Sequence, residues 1–217
     1  MQDFKSRNYI GDKAATAFDE YINRLDNWES RGFGVEDRYA SKDLEWIKSK
    51  CISDDVFDEF REQAISVIGK NRFDKFYEGL SGRVPIPIRW EADRLLAYQN
   101  QVVAAVDVKS KGPEYSNWAV EVMALLANSP ARLRYGCPVF YAFPPKDPDN
   151  QLYGYFEHWT IATTDDLTDP ARTEYRVGKY ASGSKTDFLT IWQPHVSSKL
   201  TTFIEQTESR LKDNGGN

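Results

Sequence analysis

Two acids and a lysine stand near the end of an apolar run in the middle of the sequence. The run covers residues 102–108, Lys109 follows it directly, and Asp93 lies fourteen residues before Asp107. An ionisable group at the end of a buried strand costs free energy unless it is paired or used. Asp107 and Lys109 are two residues apart, so on a strand they share one face. These residues are the first candidates for a functional site.

A hairpin would bring the two acids together. Residues 89–97 and 102–109 have the composition of strands, and the polar residues between them are typical of a turn. Antiparallel pairing through that turn places Asp93 near Asp107. Glu91 shares a strand face with Asp93, so it is a candidate for the same site.

Converging carboxylates repel one another and resist ionisation unless a cation lies beside them. Mg²⁺ binds one or two carboxylates together with water and phosphate oxygens, and Mn²⁺ accepts the same ligand types. The sequence therefore predicts a divalent-metal site at Asp93 and Asp107, with Glu91 as an additional ligand. Lys109 would orient or deprotonate a water, or stabilise negative charge on a phosphate. Metal-assisted phosphodiester hydrolysis needs this combination of groups.

A structural interpretation of the same residues stays open. In that interpretation Asp107 and Lys109 form a salt bridge at a strand end, and Asp93 makes a turn contact. Other catalytic centres have less support. The two histidines, His158 and His195, do not combine with the two distant cysteines in a zinc-site spacing, and the sequence has no glycine-rich phosphate loop.

The rest of the chain predicts the elements that position these residues. About the first 80 residues are expected to be helical, beginning with an amphipathic helix over 12–30. After the hairpin, a helix is expected from Ser116 to Asn128 and a strand from Cys137 to Phe143. Further strands are expected at 152–163, 174–180 and 187–192, a polar loop at 165–172, and a C-terminal helix at 197–211. This order predicts an α/β fold with a central mixed sheet flanked by helices.

Length and composition set the class of protein. The 217 residues suit a single domain, with 1–80 as its helical N-terminal part, 84–143 as the motif core and 150–211 as additional strands and a C-terminal helix. The net charge of −5 gives no overall basic field. Two distant cysteines, no signal-peptide pattern and no long apolar run predict a cytoplasmic protein without a membrane partner.

The central segment resembles the PD-(D/E)xK nuclease superfamily, which includes many restriction enzymes and repair nucleases. Asp93 corresponds to the first acid, and Asp107-Val108-Lys109 corresponds to the (D/E)xK triplet after an apolar strand. The helix expected from Ser116 and the strand that follows it match the superfamily's order of elements. Ala92 stands where the motif has proline. The resemblance covers roughly 60 of the 217 residues.

The resemblance implies a restriction-endonuclease-like core and a nuclease, most simply an endonuclease, that cuts DNA with Mg²⁺ or Mn²⁺. Asp93 and Asp107 would hold the metal, and Lys109 would assist the attacking water. The superfamily's leading helix usually carries a glutamate; the candidates for its position are Asp12, Asp19 and Glu20. Contacts to the nucleic acid are expected from Ser110, Lys111, Arg132 and Arg134. A homodimer stays open, as does a non-catalytic nucleic-acid- or protein-binding module that retains the fold.

Overall fold

A computed structural model describes most of the core of the chain. The described residues are 4–33, 62, 65–66, 69–71, 74, 92–109, 118–121, 124–125, 128, 136–145, 155–168, 173–179, 185–191 and 198–214. Residues 34–61 of the predicted helical part and residues 84–91 of the predicted motif core lie outside them.

Six strands form a central mixed sheet in the spatial order β1-β2-β3-β5-β6-β9. They are β1 (Trp28–Gly32), β2 (Arg94–Tyr98), β3 (Gln101–Val108), β5 (Val139–Phe143), β6 (Thr160–Thr163) and β9 (Ser198–Lys199). All neighbours pair antiparallel except β3 and β5, which are parallel. Parallel neighbours need a crossover connection, and residues 124–125 and 128 within that connection are helical. The α/β class with a mixed sheet is thus confirmed.

The predicted hairpin is formed by β2 and β3. Gln99 and Asn100 connect the strands with φ values of 50° and 65°. Two positive φ angles in a two-residue connection are the mark of a type I′ turn, whose twist matches that of the strands it joins. The pairing shifts register between Leu96 and Ala97, because β3 carries one extra residue, Val103, at a β-bulge.

The main apolar core lies on the face of the sheet that carries two long helices, α1 (Phe4–Ile22) and α3 (Leu200–Asn214). Alternate residues of β3 point to this face, with Ala104 and Val106 fully or nearly fully buried. The helices and other strands contribute the rest of the cluster: Ala14, Phe18, Ile22, Trp28, Leu96, Tyr98, Val103, Ala142, Trp159, Ile161, Leu200 and Ile204. Burial of these side chains holds the helices against the hairpin.

A second, three-stranded sheet corrects the predicted helix at 116–128. Its strands are β4 (Trp118–Glu121), β7 (Thr173–Lys179) and β8 (Lys185–Ile191), in the order β4-β8-β7, all antiparallel. Residues 118–121 are therefore a strand, although the helical spacing of their apolar neighbours predicted otherwise. Trp118 and Val120 are buried and Ala119 is less so, which is the alternation of a strand. Pairing with β8 overrides the local preference.

Other boundaries differ more modestly from the prediction. The N-terminal helix ends at residue 22, and residues 28–32 form β1 instead of continuing it. Within the aromatic stretch at 152–163, Phe156–His158 is a 3-10 helix and only 160–163 is a strand. The expected polar loop starts with a short helix, α2 (Thr164–Thr168). The strands predicted at 137–143, 174–180 and 187–192 and the C-terminal helix are confirmed.

None of the helices in the described residues combines the length and the apolar character that crossing a membrane requires.

Candidate active site

The bulge in the hairpin sets which residues meet at its open end. Beyond the bulge Arg94 pairs with Val106, so continuing the register by one residue places Asp93 opposite Asp107. Without the extra residue Val103, the register of the turn end would continue and place Asp93 opposite Val106 instead. Residues directly opposite on neighbouring strands share a face of the sheet. The bulge therefore brings the two acids together.

The two carboxylates are held by different contacts. Oδ2 of Asp93 accepts a hydrogen bond from the backbone N–H of Val108 at 3.1 Å. Asp107 is buried, with 4% of its surface exposed, and its Oδ2 lies 2.7 Å from Nζ of Lys109. The Lys109 side chain keeps 26% of its surface exposed, so the group opens toward solvent on the lysine side. Asp93, Asp107 and Lys109, all predicted from the sequence, form one cluster.

The electrostatics of the cluster are unfavourable for a second negative charge. The pKa of Asp93 is raised from 3.8 to about 7. Burial of the carboxyl is the largest cause, and the negative charge of Asp107 is the next. The ammonium of Lys109, the N–H of Val108 and the guanidinium of Arg94 act in the opposite direction without cancelling the rise. One lysine does not offset two buried carboxylates.

The floor of the cluster is an aromatic ring. Tyr141 on β5 pairs with Asp107 across the parallel strands and is fully buried. Nζ of Lys109 lies over its ring, 5.9 Å from the centroid. The Lys109 backbone continues the ladder, because its N–H donates to the carbonyl of Ala142 at 2.8 Å. Burial and, to a lesser extent, the charge of Asp107 raise the pKa of the Tyr141 phenol well above 10.

The leading helix α1 places an acid, Asp19, against Arg94, the residue after Asp93, and not within the cluster. Asp19 accepts bonds from Nε of Arg94 at 2.9 and 3.0 Å and from the hydroxyl of Ser30 at 2.6 Å. Arg94 also donates from Nη1 to the backbone carbonyl of Asp93 at 2.9 Å. Glu20 forms an exposed ion pair with Arg24 at 3.2 Å. The acid of α1 that approaches the hairpin is thus engaged by an arginine.

Several predicted site residues lie outside the described part of the chain: Glu91, Ser110, Lys111, Arg132 and Arg134. Asp12 belongs to α1, within the part of that helix whose side chains are not described. In the described residues, no group of three or more His, Cys, Asp and Glu side chains converges in a way that would hold a metal ion. Two neighbouring carboxylates in a cluster that opens to solvent at Lys109 still match what Mg²⁺ requires from a protein, because it completes its shell with water and phosphate oxygens.

Sequence reasoning missed two residues beside the cluster, Tyr141 and Arg94. The position of Tyr141 depends on the parallel pairing of β3 with β5, which no local pattern announces. Arg94 directly follows Asp93, so its side chain points to the opposite face of β2, where α1 packs. The alternation of faces could be read from the sequence. The partner of Arg94 could not, because Asp19 lies 75 residues away along the chain.

No protein-family model matches the chain, and no curated protein matches it at a significant level.

Proposed function

We propose that this protein is a divalent-metal-dependent nuclease that hydrolyses phosphodiester bonds in DNA. The observation that carries the proposal is the convergence of Asp93 and Asp107 at the open end of the hairpin, with the ammonium of Lys109 2.7 Å from Asp107. A buried carboxylate and a partly buried one beside one lysine form a site whose full ionisation favours a bound cation.

Each residue has a role that follows from its position. Asp93 and Asp107 would hold Mg²⁺ or Mn²⁺. The bound ion supplies Lewis-acid polarisation of the phosphate and a lower pKa for water. Lys109, which is partly exposed, offers its ammonium to a non-bridging phosphate oxygen or to the attacking water. The backbone N–H of Val108 donates a hydrogen bond to one carboxylate oxygen of Asp93 and so holds this carboxylate at the end of the strand.

The order of elements gives independent support. A leading helix (α1), the β2–β3 hairpin with both acids, helical residues at 124–125 and 128, and a strand (β5) beside β3 occur in the order that the resemblance to the PD-(D/E)xK superfamily implies. The strand β4 and its sheet are additional to that order. Since fold alone does not define function, the assignment depends on the cluster and on its test.

The test is cleavage of supercoiled plasmid in the presence of Mg²⁺ or Mn²⁺. We expect the wild-type protein to nick or linearise the plasmid, and we expect Asp107→Asn and Lys109→Met to reduce the rate by about 100-fold or more. The matched control is Glu20→Gln, which changes an acid in an exposed ion pair and should leave the rate unchanged. Residual activity at the wild-type level in Asp107→Asn preparations would identify a contaminating nuclease.

A second readout does not depend on finding the right substrate. Mg²⁺ or Mn²⁺ should raise the melting temperature of the wild type, and Asp107→Asn should lose most of that rise. If the wild type neither cleaves DNA or RNA nor gains stability from the ions, the nuclease is rejected in favour of a non-catalytic module with the same fold.

A further inference from the structure

We infer that Tyr141 is a positioning residue for the proposed reaction, because its ring sets where the ammonium of Lys109 lies. This inference rests on the proposed nuclease function and assigns a role to a residue outside the motif. Tyr141 is the cross-strand neighbour of Asp107, and the ammonium of Lys109 lies over its ring, 5.9 Å from the ring centroid. A cation within about 6 Å of an aromatic face is attracted by the ring quadrupole.

The ring itself is fixed from the other side. The Tyr141 hydroxyl accepts a hydrogen bond from Nδ2 of Asn128 at 3.3 Å and donates one to the carbonyl of Ala124 at 3.3 Å. Asn128 and Ala124 are both buried. The hydroxyl is therefore engaged by helical residues on the face of the sheet to which Tyr141 points. Burial is the main cause that raises the pKa of the phenol well above 10, so the hydroxyl stays neutral. Tyr141 holds the lysine and does not exchange protons.

A lysine needs such a support more than an arginine would. Its ammonium is a compact charge at the end of a flexible four-carbon stem, which loses considerable rotamer freedom when it is held in one place. Asp107 supplies one contact, at 2.7 Å. If Asp107 also holds a cation during the reaction, its attraction for the ammonium weakens, whereas the ring face remains. The Tyr141 ring is then a contact that continues to hold Lys109 beside the reacting phosphate.

The decisive experiment changes the quadrupole of the ring at constant shape. Phenylalanine and 3,4,5-trifluorophenylalanine are introduced at position 141, and plasmid cleavage is measured at saturating Mg²⁺. Both rings lack the hydroxyl, so phenylalanine is the reference, and we expect kcat with the fluorinated ring to be about two- to fivefold lower than with phenylalanine, with KM unchanged. Tyr141→Leu, which lacks the ring, should fall at least as far.

The matched control is the same fluorinated substitution at Phe140. Phe140 is the preceding residue of β5, and its ring makes a tilted contact with Phe203 of α3, with the centroids 4.7 Å apart, on the opposite face of the sheet. Fluorination there should leave kcat unchanged. Equal kcat for the plain and fluorinated rings at position 141 would overturn the inference while leaving the nuclease proposal intact.

An NMR measurement that does not depend on cleavage tests the Lys109–Tyr141 contact separately from the nuclease proposal. After ¹³C-methylation of lysines, the Lys109 signal, assigned by its loss in Lys109→Arg, should show a ring-current shift that persists in Tyr141→Phe and disappears in Tyr141→Leu. An inactive protein with this shift would reject the nuclease and retain the Lys109–Tyr141 contact. A wild-type Lys109 signal without any ring-current shift would reject the inference, whatever the activity.

Discussion

The two faces of the β2–β3 hairpin use the same backbone for opposite purposes. On the face toward α1 and α3, Ala104 and Val106 join a continuous apolar cluster, and its charged residues, Arg94 and Asp19, neutralise each other at 2.9 Å. On the other face, Asp107 meets a second acid, Asp93, whose pKa is raised to about 7 by burial and by that neighbour. One face is arranged for stability, and the other keeps an electrostatic conflict that a ligand can relieve.

This comparison shows how a strand separates stability from chemistry. The period of two sends consecutive residues to opposite faces, so a buried core and a charged site can be built from one eight-residue strand. The apolar packing of the opposite face then offsets the free energy that the burial of the charged groups costs. Substitutions confined to one face of the hairpin should therefore affect either stability or the charged site.

The largest difference is expected between two adjacent leucines of β2. Leu96 is fully buried in the core face, whereas Leu95 is partly buried and packs against the smaller cluster on the site face. We expect Leu96→Ala to lower the free energy of unfolding by about 3–5 kcal/mol and Leu95→Ala by about 1–2 kcal/mol. Urea denaturation of both variants at one pH measures the difference. Equal losses would show that the two faces contribute alike.

The next effect concerns the negative charge of Asp93. Removing this charge should raise the free energy of unfolding at high pH and leave it unchanged at low pH. Asp93 has a folded-state pKa of about 7 and an ordinary value of 3.8, so between these pH values the folded protein binds more protons than the unfolded chain. The contribution of Asp93 to the free energy of unfolding therefore falls as pH rises from about 4 to about 7, and it levels off above that. The charged groups that act on the pKa of Asp93 are Asp107, Lys109 and, from the opposite face of the strand, Arg94.

Asp93→Asn keeps the acceptor for the Val108 N–H and removes the charge. Relative to the wild type we expect little change at pH 4 and a gain of about 2–4 kcal/mol at pH 8, since a shift of one pKa unit corresponds to about 1.4 kcal/mol. Urea denaturation across this pH range provides the measurement. A constant difference between the two proteins at pH 4 and pH 8 would contradict the assignment of the titration to Asp93.

A third expectation concerns relief of the conflict by a cation. With Mg²⁺ or Mn²⁺ at about 100 times its dissociation constant, the wild type should gain about 2.7 kcal/mol. At one fixed ion concentration the gain should be larger at pH 8 than at pH 6, because Asp93 must release its proton to bind the ion and the dissociation constant therefore rises at the lower pH. Thermal unfolding with and without EDTA tests this. A gain that persists undiminished in Asp93→Asn would place the ion elsewhere.

The smallest effect is the ion pair on the core face. A double-mutant cycle with Asp19→Asn and Arg94→Met should give a coupling energy of about 1 kcal/mol, because both side chains are less than one-third exposed. The control is Glu20 with Arg24, whose side chains are 60% and 74% exposed and whose coupling should not exceed about 0.5 kcal/mol. Equal coupling in both cycles would mean that α1 does not fix Arg94 beside the site.

Local sequence patterns predicted the parts of the fold that local forces determine. The hairpin was predicted from two strand-like segments, 89–97 and 102–109, separated by polar residues typical of a turn. The shared face of Asp107 and Lys109 was predicted from the period of a strand. The strand at 118–121 was predicted wrongly, because neighbouring apolar residues have helical spacing while Trp118 and Val120 pack by pairing with β8. Partner strands that lie 65 or more residues along the chain leave no local signal.

The sequence by itself determined the chemical identity of the site, because Asp93, Asp107 and Lys109 have the residue types and the strand period that place them at one end of a hairpin. Only the tertiary structure decided that the acids meet, since their register depends on the bulge at Val103. It also decided that Tyr141 lies beneath Lys109, through the parallel pairing with β5. Periodicity is a property of neighbours along the chain, whereas register and sheet order are settled by the packing of distant segments.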